Sequence, residues 1–203
     1  MSADEVKQYF LDRLKEVDVL NKVGSLLSFH CCGALIDCIA FFAYGGMPDA
    51  GRERLKTDGA FFKKFVGSYM VGYGADLLYG TLRCGLLHAC SFDEKSMVSD
   101  EVTDPNEASS LYVTHAGAFR NNTPKPFRQG GKVIMLLHAE DLKDSIVTAV
   151  ENAWRNEAIR ESAEEVACHQ RLVVGRKASD IEAVTRHLRK HGVSSVTTII
   201  SGG

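Results

Sequence analysis

Neither sign of charge is in excess in this chain: 24 lysines and arginines stand against 26 aspartates and glutamates, a formal charge of −2 with a pI near 6.4. A global attraction to polyanions is therefore missing, and any nucleic-acid contact has to be a local patch or cleft. GxxxxGK[ST], a strand-linked GxGxxG, HExxH and GxSxG are also missing, so the common nucleotide, protease and hydrolase signatures are unrepresented. The opening Met1-Ser2-Ala3-Asp4-Glu5 is acidic, and no basic stretch, apolar run and cleavage site follow it, which points away from secretion and towards the cytoplasm. The longest apolar stretch, within Ala34 to Tyr44, carries Asp37 and falls short of the ~20 residues of a membrane span, so it reads as a buried helix with no membrane partner. Cys31, Cys32, Cys38, Cys84, Cys90 and Cys168 lack zinc-ribbon or CxxC spacing. They read as reduced, buried thiols, with Cys31 and Cys38 on one helix face, and neither a metal nor another cofactor is expected.

What is present is a core. The chain has 203 residues, 45% of them hydrophobic, enough for one domain or one domain with a small appendage. Ser2 and Glu5 form a capping box, and Val6, Phe10, Leu14, Val17 and Leu20 recur at helical steps to about Ser25. A second helix, apolar almost all round, runs from about His30 to Tyr44 and stops at Gly45-Gly46 and Pro48, and residues 47 to 58 read as a polar connection. Phe61, Phe62, Phe65, Tyr69 and Met70 predict a third helix, and Gly72 and Gly74 separate it from a fourth, from about Ala75 to Cys90. Four helices predict an up-and-down bundle.

After the acidic loop from Asp93 to Glu107 the pattern changes. Leu111 to Thr114 and Lys132 to Leu137 read as two strands facing across a hairpin, with a turn-rich stretch of Asn121, Asn122, Pro124, Pro126, Gly130 and Gly131 between them. Glu140 and Asp141 suit the positive start of a helix striped by Leu142, Ile146, Val150 and Trp154 and continuing past Arg160. A strand at Leu172 to Val174, a helix opened by Ser179 or Asp180 with Ile181, Val184 and Leu188 on one face, and a strand from Val196 to Ile200 follow. The fold class is mainly α, α+β overall: a helical bundle over residues 1–109, then a small β element with C-terminal helices over 110–203, packed on the bundle or forming a unit of their own.

One segment pairs residue types suited to chemistry. Leu82-Arg83-Cys84-Gly85-Leu86-Leu87-His88 sets a permanent cation and a titratable imidazole five residues apart, beside an apolar stripe of Leu78, Leu82 and Leu86. This resembles the R-x4-6-H motif of the HEPN superfamily, compact helical bundles that carry the motif in a late helix and often dimerise with two motifs facing one cleft. The resemblance covers residues 1 to 90 in helical layout and a handful of residues in motif. It implies a metal-independent endoribonuclease, often a toxin or defence effector, with a homodimer, RNA or a nucleotide, and an antitoxin-like protein as partners. Degenerate relatives serve instead as non-catalytic binding or interaction modules.

In the catalytic reading His88 takes the proton of the 2′-hydroxyl or returns one to the leaving oxygen, as an imidazole with an ordinary pKa near 6.5 can. Arg83 holds the negative nonbridging oxygens, since a guanidinium stays charged and grips two oxygens at once. Tyr79 and Cys84 flank the pair as binding residues, although active members often carry a polar residue where Cys84 stands. In the structural reading Arg83 pairs with Asp76 or Asp37, and His88 is a hydrogen-bonded residue near its helix end. Five residues turn an α-helix through ~500°, so a shared face requires a bend near Gly85, a long reach by Arg83 or a dimer mate. Arg186 and His191 repeat the spacing among Arg189 and Lys190, on what reads as a solvated face.

Three weaker groupings remain. Tyr69, Tyr73 and Tyr79 either stack bases or belong to the core. His115 and His138, on the two strands, either bind a metal or a phosphate or form a structural pair. Arg120, Lys125 and Arg128 make a basic cluster that either touches a phosphate backbone or solvates its loop.

Overall fold

Ser2 starts the first helix as the capping box requires: its Oγ accepts the N–H of Glu5, and a Glu5 carboxylate oxygen accepts the N–H of Ser2 at 2.7 Å. The computed structural model describes residues 1–48, 59–84, 98–101, 104–169, 173–175 and 198–200. Helix α1, Ala3–Lys22, buries Val6, Phe10, Leu14 and Val17, and Asn21 rather than Leu20 closes the stripe. Helix α2, Leu27–Tyr44, ends where the Gly45 N–H donates to the Phe41 carbonyl. By length and composition α2 would pass for a membrane span, yet half of the helix is buried, and Phe29, Ile36 and Ile39 are fully enclosed. It is the central core helix of this fold.

Helix α3, Ala60–Tyr69, buries Phe61, Phe62, Phe65 and Val66, and the chain then turns through Gly72 at a φ of 85°. The predicted fourth helix is different from expectation. Its α-helical part, α4, is only Ala75–Leu78, and Tyr79–Cys84 winds on as a π-helix. Gly85 to Cys90 lie outside the described residues, as do the connection from 49 to 58 and the predicted helix around Ile181, Val184 and Leu188.

Four strands form one sheet in the order β1-β3-β4-β2: β1 Val98–Glu101, β2 Ser110–Thr114, β3 Lys125–Gln129 and β4 Lys132–His138. The expected hairpin of β2 with β4 is corrected, since those two run parallel, with Leu111 opposite Met135 and Thr114 opposite His138. The hairpin is β3 with β4, closed by Gly130 and Gly131, both at positive φ as a two-residue primed turn needs. Strand β3 lies in the stretch read as turns, because Pro126 interrupts it. Proline is tolerated there since β1 takes its register partners at Phe127 and Arg128, leaving Pro126 outside that pairing. Along β4, Val133, Met135 and Leu137 face the helices, while Ile134 and Leu136 join Phe127 in a smaller cluster on the other face.

Helix α5, Ala139–Ala153, buries Leu142, Ile146 and Val150, with Trp154 enclosed just beyond its end. It does not continue past Arg160. The chain breaks at Trp154 to Asn156, where Asn156 Oδ1 accepts the N–H of Ala158 and opens α6, Glu157–His169. These two helices pack directly on α1 and α2. Ile36, Phe62, Leu142, Ile146, Trp154 and Ile159 therefore belong to one core, and the bundle is completed by helices from the second half of the chain rather than by residues before 110 alone. Trp154 Nε1 donates to the Ala3 carbonyl, and Arg160 pairs with Asp4, tying the start of α1 to α6. Short strands β5, Val173–Gly175, and β6, Thr198–Ile200, pair in parallel where strands were expected. The described fold is mainly helical with a small sheet, α+β overall.

Candidate functional site

The π-wound turn is held against the bundle from two sides. Leu78 and Leu82 enter the core at 1% and 3% exposure. Gly33 of α2 lets Leu82 approach: a Cβ built on Gly33 would lie 2.7 Å from the Leu82 carbonyl oxygen. On the other side Tyr79 packs edge-on to Phe62 at 5.4 Å between ring centres, Lys63 Nζ sits 5.3 Å from its ring, and its edge covers the backbone of Gly59. The backbone of Arg83 and Cys84 belongs to this turn, and His88 lies outside the described residues. The α-helical premise of the five-residue spacing does not hold up to Cys84, because a π-helix bonds residue i to i+5. Asp76, one expected partner of Arg83, holds Lys63 Nζ at 2.6 Å.

The neighbouring tyrosines divide. Tyr73 is 6% exposed, its hydroxyl donates to Ser145 Oγ at 2.9 Å, and burial pushes its phenol far up, so it is part of the core. Tyr69 packs on Phe65 and lines a cleft described below.

A second polar assembly surrounds the start of α5. Asp141 is 7% exposed, and its Oδ2 accepts the N–H of Asn121 at 2.8 Å and the Thr123 hydroxyl at 2.6 Å. Arg120 lies against three carboxylates, Glu140 at 2.6 Å, Asp141 at 3.4 Å and Asp144 at 2.8 Å. Its charge is neutralised, and Arg128 is 3.8 Å from Glu107, so two of the three cations of the expected basic cluster have carboxylate partners, while Lys125 is exposed. The two histidines do not face each other across a hairpin. His138 caps α5, with Nδ1 accepting the Glu140 N–H, while His115 Nε2 lies 3.1 Å from Ser28 Oγ and its ring edge meets Phe29. Burial, and then the nearby His138, lower the His115 pKa. Among the described residues no group of three potential ligands converges on a metal position. The sequence offers His138 and Arg120 as candidates but not Asp141, which lies between them. An acid in the first turn of a helix signals only a helix start along the chain.

Between the end of α3 and α5 an open cleft of about 450 Å³ is lined by Tyr69, Met70, Asn121, Thr123, Asp141 and Ser145, among others. Both carboxylates on its wall are engaged, Asp141 by Asn121 and Thr123, and Asp144 by Arg120 and Lys143. The thiols also differ from expectation. Cys32 is buried and its pKa is pushed up to about 12 by burial, but Cys31 is half-buried, and Cys38 and Cys168 are exposed. No family model, curated protein or solved structure matches the chain.

Proposed function

We propose that the chain is a metal-independent endoribonuclease of HEPN type, with Arg83 and His88 as its catalytic pair. The observation that carries this reading is the winding of the segment that bears Arg83. A five-residue spacing turns an α-helix through ~500° and sets two side chains on different sides, whereas the π winding that reaches Cys84 has a wider turn and lessens that separation over the residues it covers, Gly85 to His88 lying outside the described residues. Leu82, seated against Gly33, anchors the backbone next to Arg83 on the bundle, as a site built on a scaffold element needs.

The reaction follows from the two side chains. The 2′-oxygen of one nucleotide attacks the adjoining phosphorus, and the 5′-oxygen of the next nucleotide leaves. His88 takes the 2′-hydroxyl proton, and an imidazolium, its own or that of a second copy, returns one to the leaving oxygen. The products are a 2′,3′-cyclic phosphate and a 5′-hydroxyl. Arg83 holds the nonbridging oxygens as their charge grows. RNA is the substrate class because the attacking group is the 2′-hydroxyl, which DNA lacks.

A second reading, a non-catalytic HEPN-like module that binds nucleic acid, a nucleotide or a protein, is favoured by one observation: Cys84 follows Arg83 where a polar supporting residue often stands. Cleavage of a mixed single-stranded RNA in EDTA separates the two. Wild type is expected to cleave, and Arg83→Ala and His88→Ala, shown to be folded by circular dichroism, to lose activity. An inactive wild type would move the assignment to the binding module.

A further inference from the structure

The β4–α5 junction places a buried imidazole where two roles compete. His138 is 3% exposed, ends β4 and caps α5, its Nδ1 accepting the Glu140 N–H at 3.3 Å. A backbone N–H only donates, so Nδ1 holds a lone pair and the ring proton sits on Nε2. That Nε2 is buried and has no hydrogen-bond partner among the described residues. Asp141 Oδ1 lies 4.0 Å from Nδ1. The His138 N–H donates to Thr123 Oγ1, whose hydroxyl in turn donates to Asp141 Oδ2. The His138 backbone N–H and the Asp141 carboxylate thus fasten the loop carrying Asn121 and Thr123 to the first turn of α5, while the His138 ring caps that turn beside the same carboxylate.

We propose that His138 is a proton-operated catch for that loop, closed when the ring is neutral and opened when it is charged. Protonation occupies Nδ1, so the Glu140 N–H loses its acceptor and the cap is withdrawn. The new Nδ1–H faces Asp141 Oδ1 and competes with Arg120 Nε, 3.4 Å from the same oxygen. The carboxylate is drawn towards the ring, and the Asn121 and Thr123 contacts on its other oxygen weaken.

The surrounding charges set the balance. Asp141 and Glu140 on α5 favour the imidazolium, and the positive end of α5 opposes it. Arg120 from the loop and His115 beyond β2 also oppose it, and Lys143, held by Asp144 and by Asp18 of α1, is a further cation on α5. Because Asn121 and Thr123 line the cleft beside α3, opening the catch changes the shape of one cleft wall.

Amide-exchange protection factors, which remove the intrinsic pH dependence of exchange, test this on the full chain. In wild type the amides of Glu140, Asp141 and Asn121 are expected to lose about fivefold protection between roughly pH 7.5 and 5.5, the ratio that loss of a helix cap converts to. In His138→Asn, which keeps a capping oxygen but has no proton to take up, protection stays flat. Wild-type protection that does not change, or a variant that falls in parallel, overturns the proposal. Should that variant not fold, an NMR titration of the wild-type ring serves instead: the His138 signals and the three amides are expected to share one midpoint, and a ring that stays neutral to about pH 5 sinks the idea.

Discussion

Gly33 and Leu82 touch backbone to backbone, close enough that a methyl group on Gly33 would sit 2.7 Å from the Leu82 carbonyl oxygen and 2.9 Å from its Cβ. The segment that carries Arg83 is therefore positioned by the absence of a side chain on α2. Gly33→Ala is expected to force the two elements apart at a cost of about 2–3 kcal/mol, at the upper end of overpacking effects. The denaturant midpoint measures it, and a change below about 0.5 kcal/mol would mean the contact is looser than described. If the chain cleaves RNA, the same variant should lose activity while remaining folded.

Within the catalytic reading, Arg83→Lys is a finer probe than alanine. The charge is kept but the planar fork that grips two oxygens is lost, so turnover on RNA should fall about 100-fold with an unchanged circular dichroism spectrum. Wild-type turnover in this variant would show that Arg83 does not hold the transition state.

Asp141 carries the loop from Arg120 to Thr123, and Glu140 beside it is half-exposed. Asp141→Asn removes a buried charge that faces Arg120 and is expected to cost about 3 kcal/mol. Glu140→Gln breaks a half-exposed pair with the same arginine and should cost less than about 1 kcal/mol. Equal costs would show that Arg120, not Asp141, organises the assembly.

The His115 pKa is lowered from its ordinary 6.5 by burial and by His138. The unfolded chain therefore binds the proton first, so stability is complete above about 6.5 and declines as pH falls through it towards the lower folded value. His115→Asn should show a shallower loss of unfolding free energy between about pH 7.5 and 5.5 than wild type. Asp4 and Glu5 act at another pH. Arg160 holds the first, and Ser2 the second, below their ordinary 3.8 and 4.5, so their contribution is present above those values and is lost only in stronger acid.

Thiol labelling separates the cysteines by exposure. At about pH 8 Cys38 and Cys168 should alkylate in the native protein, and Cys32, enclosed and far from ionising, only after unfolding. Mass-spectrometric mapping of the modified peptides reads this directly, and native modification of Cys32 would contradict its place in the core.

The sequence by itself determined what depends on neighbours along the chain. The capping box at Ser2, the stripe of Phe10 and Leu14, the stop at Gly45 and the stripe of Leu142, Ile146 and Val150 are local patterns of period and capping, and they appear where expected. The R-x4-H spacing was equally legible, because it is a spacing. What only the tertiary structure decided depends on residues far apart. Met135 pairs with Leu111 in parallel on one side and with Pro126 antiparallel on the other, an order no single strand encodes. Leu142 and Trp154 complete a core begun by Phe10 and Ile36, so the bundle is not confined to the first half. The π winding at Tyr79–Cys84 also differs from its sequence pattern, which favours an α-helix. It stands where Leu82 must seat on Gly33 while Tyr79 covers Gly59, and long-range packing outweighs a local preference of a few tenths of a kcal/mol per residue.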